Sequence, residues 1–371
     1  MIADSLIIGS GVIGLSLAWE LVQRGQKVIV LESEEFAKGA SWAGAGILPP
    51  TAKNYSPDAY EQLRSLGHQL HPEWSDRLKT RTGIDNEYQR CGGIYLARSA
   101  VESATLVGNQ VWWQEHDIEF QKLTPAALSE TEGSLREISD QIKSAWLLPD
   151  ECQLRNPRHL NALLKACSDA GVQLLDQHDA VDIQEKTQGL ARVKCGNGNF
   201  YEARQVCICS GAWARKHLES FGLESGIMPI RGQMLLYDVG TQVYKHVINE
   251  GNRYLVSRKD GHLLAGSIEE EVGYKCETTA EGVKKIKDWA ESLLPQLKQH
   301  AVKKSWAGLR PGSYDSLPYL GRLPNHESIY LAAGHFRSGL HLSCATAVCM
   351  ADLMLGQTPP IDLHPFRVGR G

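Results

Sequence analysis

Apolar and polar positions alternate with three different periods along this chain. The first segment, Asp4-Ser5-Leu6-Ile7-Ile8, reads as a buried strand that stops at Gly9. From 12 to 24 the apolar residues follow a helical period, and Gly25 ends the helix. Residues 27–32 (KVIVLE) predict a second strand, so the opening is a βαβ unit of about 30 residues. A loop of small residues follows at 39–50, then a helix at 58–82. Residues 84–148 are mixed, with a short strand near 94–97 and helices at 100–117 and 125–132. Asn156 and Pro157 predict the N-cap and first turn of a helix that Gly171 closes. Short strands are expected at 173–176, 180–185, 190–195 and 199–203, with a hairpin turn at Asn197-Gly198, and a separate strand at 205–209 (QVCIC). Residues 231–237, 253–258 and 262–267 read as antiparallel strands, with a second hairpin turn at Asp260-Gly261. A helix at 279–293 carries Val283, Ile286, Trp289 and Leu293 on one face. The chain closes with a strand at 302–306, a turn-rich loop at 308–319, a strand at 328–333 and a helix at about 339–355.

The βαβ character thus lies at the start, in the middle (155–212) and at the end, with antiparallel character between. This pattern predicts an α/β fold in which a discontinuous, Rossmann-like cofactor domain (1–83, 149–225 and 305–371) is interleaved with an antiparallel-sheet α+β substrate domain (84–148 and 226–304). A length of 371 residues agrees with more than one core. There is no internal repeat.

Composition narrows the function by exclusion. The net charge of -4 carries no basic stripe for nucleic acid and no polybasic segment for an anionic membrane. Nine cysteines form no CxxC pair and no zinc-spaced cluster with histidine, so free and mostly buried thiols in a reducing compartment are expected and no metal is. Cys207 and Cys209 fall on one face of a strand. No segment has the length and purity of a membrane helix, and Asp4 stands where a signal peptide carries positive charge, which makes cytoplasm the expected location.

The first candidate chemistry is Gly9-Ser10-Gly11-Val12-Ile13-Gly14, a GxGxxG between a strand and a helix, with Glu32 at the end of the next strand. Gly9 permits the tight turn, Gly11 lets backbone approach a pyrophosphate, and Gly14 lets helix and strand pack closely. The diphosphate would sit on the helix N-terminus and Glu32 would accept from a ribose diol. The motif predicts a dinucleotide but does not separate NAD from FAD.

Three further segments bear on that choice: Ala40-Ser41-Trp42-Ala43-Gly44-Ala45-Gly46-Ile47, WAGLRPGSYDSLPYLG at 306–321, and AAGHFRSGLH at 332–341. Together they resemble the D-amino-acid-oxidase-like family of FAD-dependent oxidoreductases, and within it the glycine oxidases of the thiamine pathway. The resemblance runs over nearly the whole chain. It implies non-covalent FAD, since the flavin-linking cysteine of the sarcosine-oxidase branch has no counterpart in the late loop. By the same resemblance the cofactor would meet Gly9, Gly11, Val12, Ile13, Gly14, Glu32, Ser33, Ala40, Ser41, Gly46 and Ile47, and the backbone of Val181 would meet adenine. The segment His335, Phe336, Arg337, Ser338, Gly339, Leu340 and His341 would pass the flavin ring, with the last helix pointing its N-terminus at the pyrimidine edge.

The family pattern places an arginine on the substrate carboxylate, and Arg310 matches that position; Arg337 and Tyr254 match positions lining the site. Where some relatives carry a methionine beside the substrate, this chain has Glu269, to which no catalytic role is given. The implied reaction is hydride transfer from the Cα of a neutral amine, with dioxygen reduced to hydrogen peroxide and no side-chain acid or base at Cα. Glycine, sarcosine and small D-amino acids stay open as substrates, as do a quinone-linked dehydrogenase and a flavin subunit of an electron-transfer complex. Expected partners are the small amine and dioxygen, and the resemblance implies a homo-oligomer.

Overall fold

The computed structural model describes residues 2–186 and 189–370. Its first sheet has a parallel core in the order Gln173–Leu175, Val28–Leu31, Ala3–Ile8, Phe200–Ile208, Ile329–Ala333. Both faces are covered, which is why Val28–Leu31, Ile329–Ala333 and the stretches 6–8 and 206–208 are continuously apolar. Ile7 packs into a core with Leu15 and Trp19 of the helix Val12–Gln23 and with Cys344 and Ala347 of the final helix Gly339–Met354. Leu6 and Ile8 point the other way, toward Ala214 and Leu218. Tyr319–Arg322 extends one edge, and Ala180–Lys186 and Leu190–Cys195 fold back antiparallel from the start of Phe200–Ile208.

A second sheet of eight strands runs in the order Val302–Gly312, Met228–Asp238, His262–Gly266, Arg253–Ser257, Val247–Glu250, Gly93–Ala97, Ser144–Leu148, Gln121–Leu123. Its pairs are antiparallel except Val247–Glu250 with Gly93–Ala97. Successive side chains point to opposite faces. Leu235, Ala265, Leu255, Ile248 and Ile94 pack under the helix Ala280–Leu293 through Ile286, Trp289 and Leu293. Their neighbours on the other face look back toward the first sheet. A small third sheet of Ile47–Leu48, Cys152–Gln153 and Gln89–Arg90 lies between the two.

Both hairpin turns are present, with Gly198 and Gly261 at φ of 88° and 81°. Three expectations change. The loop expected at 308–319 begins with strand: Val302–Gly312 is continuous, and Arg310 pairs with Ile230. Its Gly308, Pro311 and Gly312 mimic a turn, but the strand is at a sheet edge, where proline costs no ladder bond, and Pro311 faces Pro229. The segments 199–203 and 205–209 are one strand, Phe200–Ile208, whose first half pairs antiparallel and second half parallel. Asn156 is not the N-cap; Arg155 is, and the Asn156 amide instead donates to the carbonyl of Ser41 at 2.8 Å.

All nine cysteines are free; Cys207 and Cys209 are buried with sulfurs 3.7 Å apart. Among the described residues no helix is long and apolar enough to cross a membrane, and no three His, Cys, Asp or Glu side chains are grouped to hold a metal ion.

Candidate active site

The cofactor side is built largely from backbone. The helix Val12–Gln23 begins at Gly11, which has no side chain to cap it, and carries no acidic residue in its first turn, so its positive dipole end meets no negative charge of its own. The hydroxyl of Ser41 hangs over that end and accepts from Val12 N–H at 2.9 Å. A Cβ on Gly14 would run into the carbonyl oxygen of Gly9, which fixes the close crossing of helix and strand. Glu32 stands at the end of the second strand, accepting from Ser10 N–H and Oγ at 2.9 and 2.7 Å and from Ser33 Oγ at 3.1 Å. Val181 lies at a register break between Ala180 and Asp182, which takes it out of the ladder and leaves it exposed at the sheet edge.

The loop 39–50 is small-residue because it is sandwiched. A Cβ on Gly308 would lie 2.6 Å from Ala43 Cβ, and Trp306 Nε1 donates to the Ala43 carbonyl at 3.0 Å. Gly46, at φ 82°, presses on the carbonyl of Leu154, where any side chain would collide. Arg258 is buried and donates to the Ala45 carbonyl and to Gln153 Oε1, both at 2.7 Å. Burial pushes its guanidinium down to about 10, against the smaller opposing pull of Glu87 and Asp260.

At the other end the strand Ile329–Ala333 runs into His335, the turn Phe336–Ser338 and the final helix, which also starts with no side-chain cap and no acidic first turn. His335 is buried, bonded to Thr346 Oγ1 at 3.1 Å, and held neutral by burial, with its pKa pushed down to about 3. Phe336 takes a φ of 46°, a strained value for a bulky residue. Ser338 Oγ meets Tyr60 OH at 2.8 Å. Leu340 packs on Leu48 and Leu154, whereas the His341 imidazole turns away to stack beside His71 and His68 of the helix Ala59–Thr82. Its side chain therefore lies behind the helix N-terminus.

The substrate side is built from side chains. Strand registers bring seven residues into one row across the second sheet: Trp306, Met234, Gly266, Tyr254, Asn249, Tyr95 and Trp146 are each directly opposite the next. Gly266 leaves room for the Met234 sulfur, which accepts from Tyr254 OH at 3.4 Å. Around these, Ala45, Val247, Val256 and Leu264 make the wall apolar. At the far end of the row Asn249 donates to Glu151 Oε1 at 3.0 Å and Tyr95 OH to Glu151 Oε2. Glu151 is fully buried against Gly93, and burial raises its carboxyl to about 7.

Arg310 lies beside this row. Its guanidinium covers Gly232, where any Cβ would collide with it. It donates to Ser267 Oγ at 2.6 Å and to the Ile268 carbonyl at 3.2 Å, and among the described residues no carboxylate comes within 4.0 Å of it. Arg337 is differently placed: it donates to Asn252 Oδ1 at 2.9 Å and pairs with Glu269 Oε1 at 3.2 Å. Arg310 and Tyr254 thus share one face of the sheet, and Arg337 reaches its margin. Sequence reading missed Gly232, Ser267, Met234, Asn249, Tyr95 and Glu151. Each is unremarkable in its own segment, and only strand register brings them together.

The arrangement suits a dinucleotide laid between two uncapped helix ends with a carboxylate-binding cation facing it. Comparison with known proteins agrees. The sequence profile of the family described as FAD dependent oxidoreductase matches residues 4–353. A glycine oxidase of Pseudomonas putida is 32% identical over 97% of each chain. The bifunctional protein ThiO/ThiG of Trichormus variabilis is 30% identical over the whole of this chain, which spans 55% of that longer protein. The crystal structure of glycine oxidase from Geobacillus kaustophilus superposes with a TM-score of 0.94 at 30% identity, covering 100% of this chain and 99% of that one.

Proposed function

This chain belongs to the FAD dependent oxidoreductase family, and on that premise we propose that it oxidises glycine to the imino acid, which hydrolyses to glyoxylate and ammonia, while dioxygen becomes hydrogen peroxide. The observation that carries the proposal is Arg310, a guanidinium held in place by Ser267 and Ile268 with no carboxylate among the described residues to pair with. Such a group presents a two-pronged donor face to a substrate carboxylate. The relatives named glycine oxidase support the choice of amine.

FAD fits the residues present, and when bound it accepts a hydride from the substrate Cα and passes the electrons to dioxygen. Gly11, Val12 and Ser41 would hold its pyrophosphate, Glu32 its ribose, and Val181 its adenine. Leu340 and the backbone from His335 to Gly339 would line the flavin ring. Arg310 fixes the carboxylate and so orients Cα. Among the described residues the Tyr254 hydroxyl donates only to a thioether, a weak acceptor, and it turns to the carboxylate when substrate enters. Met234, Trp306 and Ala45 keep water from the reacting carbon. His335 is neutral near pH 7 and takes no part in proton transfer.

Sarcosine and D-alanine are further substrates within this reading, and the imine feeds thiazole synthesis for thiamine. The interleaved division into a cofactor unit (1–83, 149–225 and 305–371) and a substrate unit (84–148 and 226–304) belongs to the same proposal. So does a cytoplasmic location, which the nine free cysteines support. The test is the visible spectrum of the purified protein with glycine added under anaerobic conditions. The expected result is bleaching of both flavin bands, reversed by air with release of peroxide. Bands that persist with glycine and bleach with sarcosine or D-alanine would move the substrate. Bleaching that air does not reverse would overturn the oxidase assignment, and bands that no amine bleaches would overturn the whole reading.

A further inference from the structure

Arg310 and Arg337 both stand beside the row, and among the described residues Arg337 is paired with a carboxylate while Arg310 is not. Arg337 lies in the turn Phe336–Ser338, just before the helix end that faces the cofactor. Glu269 follows Ser267 and Ile268, the two residues that hold Arg310. Asn252 sits in the turn between the strands that carry Asn249 and Tyr254. Three segments distant in sequence therefore meet at the open margin of the row through one guanidinium. Side-chain exposures of 37% for Arg337 and 30% for Glu269 place the pair at a mouth that solvent reaches.

We propose that Glu269 is a specificity-determining residue that, by occupying Arg337, restricts the enzyme to amines carrying a single carboxylate; this rests on the glycine-oxidising reading above. A substrate carboxylate is taken by Arg310. A second carboxylate on the same molecule, at the amine or beyond Cα, would need a second cation, and Arg337 is the one at hand. Glu269 already neutralises it, so an incoming dianion meets no net positive charge and must face the Glu269 carboxylate as well. A small zwitterion such as glycine has a single carboxylate, which Arg310 takes, so it makes no demand on the pair. The bond from Arg337 to Asn252 matters here, because a neutral anchor keeps the guanidinium in position when the charge of Glu269 is removed.

The test compares parent, Glu269→Gln and the double variant E269Q/R337Q with glycine, iminodiacetate and D-aspartate. In E269Q the ratio of kcat/KM for either dicarboxylate over that for glycine should rise about tenfold or more, the size of one released charge-assisted contact. In the double variant it should return to the parent value. Flavin content and the thermal midpoint, read on each variant, confirm that all three are folded. A ratio in E269Q within about twofold of the parent, with glycine turnover intact, would overturn the proposal; so would a gain that survives removal of Arg337, since the arginine is the group said to be released. Titration of the flavin spectrum with acetate and with malonate gives the same comparison without turnover. E269Q should tighten malonate relative to acetate by a similar factor, and an unchanged ratio counts against Glu269. If the parent fails to oxidise glycine, that failure falls on the function reading, and the malonate-to-acetate ratio still decides the role of Glu269.

Discussion

The helices Val12–Gln23 and Gly339–Met354 begin without a side-chain cap, whereas Ala100–Glu115, Pro125–Thr131 and Ala280–Leu293 begin on Ser99, Thr124 and Thr279, whose hydroxyls each accept a backbone N–H. The first pair belongs to the sheet that cradles the cofactor, the other three to the sheet that carries the substrate face. At these two ends open N–H groups suit an anion or an electron-rich ring edge, although the lack of a cap is not peculiar to them: Asn156–Asp169 also starts uncapped, and Ala59–Thr82 is capped by Asp58. On the proposed reading the cofactor half binds with backbone, and glycine is its working residue. The substrate half closes its own helix ends and binds with side chains, spread one per strand over a cross-sheet row.

If that division is real, the largest effect should come from filling the backbone cradle. Gly14→Val places a branched side chain against the Gly9 carbonyl, and a neighbouring Ile7 methyl lies 3.2 Å from where its Cβ would be. Overpacking of this kind costs about 1–3 kcal/mol, and here it also moves the phosphate-binding turn. The expected outcome is little or no flavin-loaded protein, read from the ratio of visible to ultraviolet absorbance. A variant that stays yellow at full stoichiometry would break the backbone half of the comparison.

Next in size is Arg310→Ala. Removing the cation that orients the carboxylate should lower kcat/KM for glycine roughly a thousandfold, about 4 kcal/mol, with flavin content unchanged. Loss of both together would mean that the two halves are not separable at this residue. Full retention of activity would remove Arg310 from the site.

The same division explains what the sequence made legible. The βαβ opening with GxGxxG and Glu32 is contiguous, and its meaning is carried by local spacing, so a single segment suffices to read it; the ASWAGAGIL loop reads locally only as a run of small residues and took its meaning from resemblance. Arg310 was accessible only through resemblance, because its strand contains Gly308, Pro311 and Gly312 and so resembles a loop. The row from Trp306 to Trp146 depends on six strand registers at once and leaves no periodic trace. Glu151 follows Asp150 in what looks like a surface turn, yet it is completely buried. Local hydropathy assigns a carboxyl to solvent, and only the facing Gly93, Tyr95 and Asn249 make room and partners for it.

Glu151 also gives the comparison a pH axis. Burial raises its carboxyl to about 7, above the ordinary glutamate range. A raised folded-state value means that its contribution to stability is fully present below the ordinary range and is lost as pH rises through 7. Glu151→Gln keeps an acceptor for Tyr95 and has no charge to bury. The stability difference between variant and parent should widen in favour of the variant by about 3 kcal/mol between pH 4.5 and 8. Buried His71 and His159, held down at about 4 and 3, work in the opposite sense: their contribution is present above the ordinary histidine range and lost in acid. They act equally on both proteins and cancel in the difference. Denaturant midpoints measured across that range would show it, and a constant difference would mean that Glu151 is charged throughout.

The smallest effect should come from a cap in the substrate half, and its smallness is informative. Ser99 and Glu102 form a reciprocal pair in which Ser99 Oγ accepts from Glu102 N–H at 3.1 Å and Glu102 Oε2 accepts from Ser99 N–H at 3.2 Å. Ser99→Ala opens that helix end to water and should cost about 1 kcal/mol. For a chain of this size that is roughly 1–2 °C in the thermal midpoint. Flavin content and kcat/KM for glycine should not move, since the end so exposed faces solvent and no ligand. The open ends at Gly11 and Ser338 lack the same kind of cap, and on the proposed reading that absence serves the cofactor. A loss of flavin on removing Ser99 would show that the substrate half contributes to holding the cofactor, and the contrast between capped and uncapped helices would lose its functional meaning.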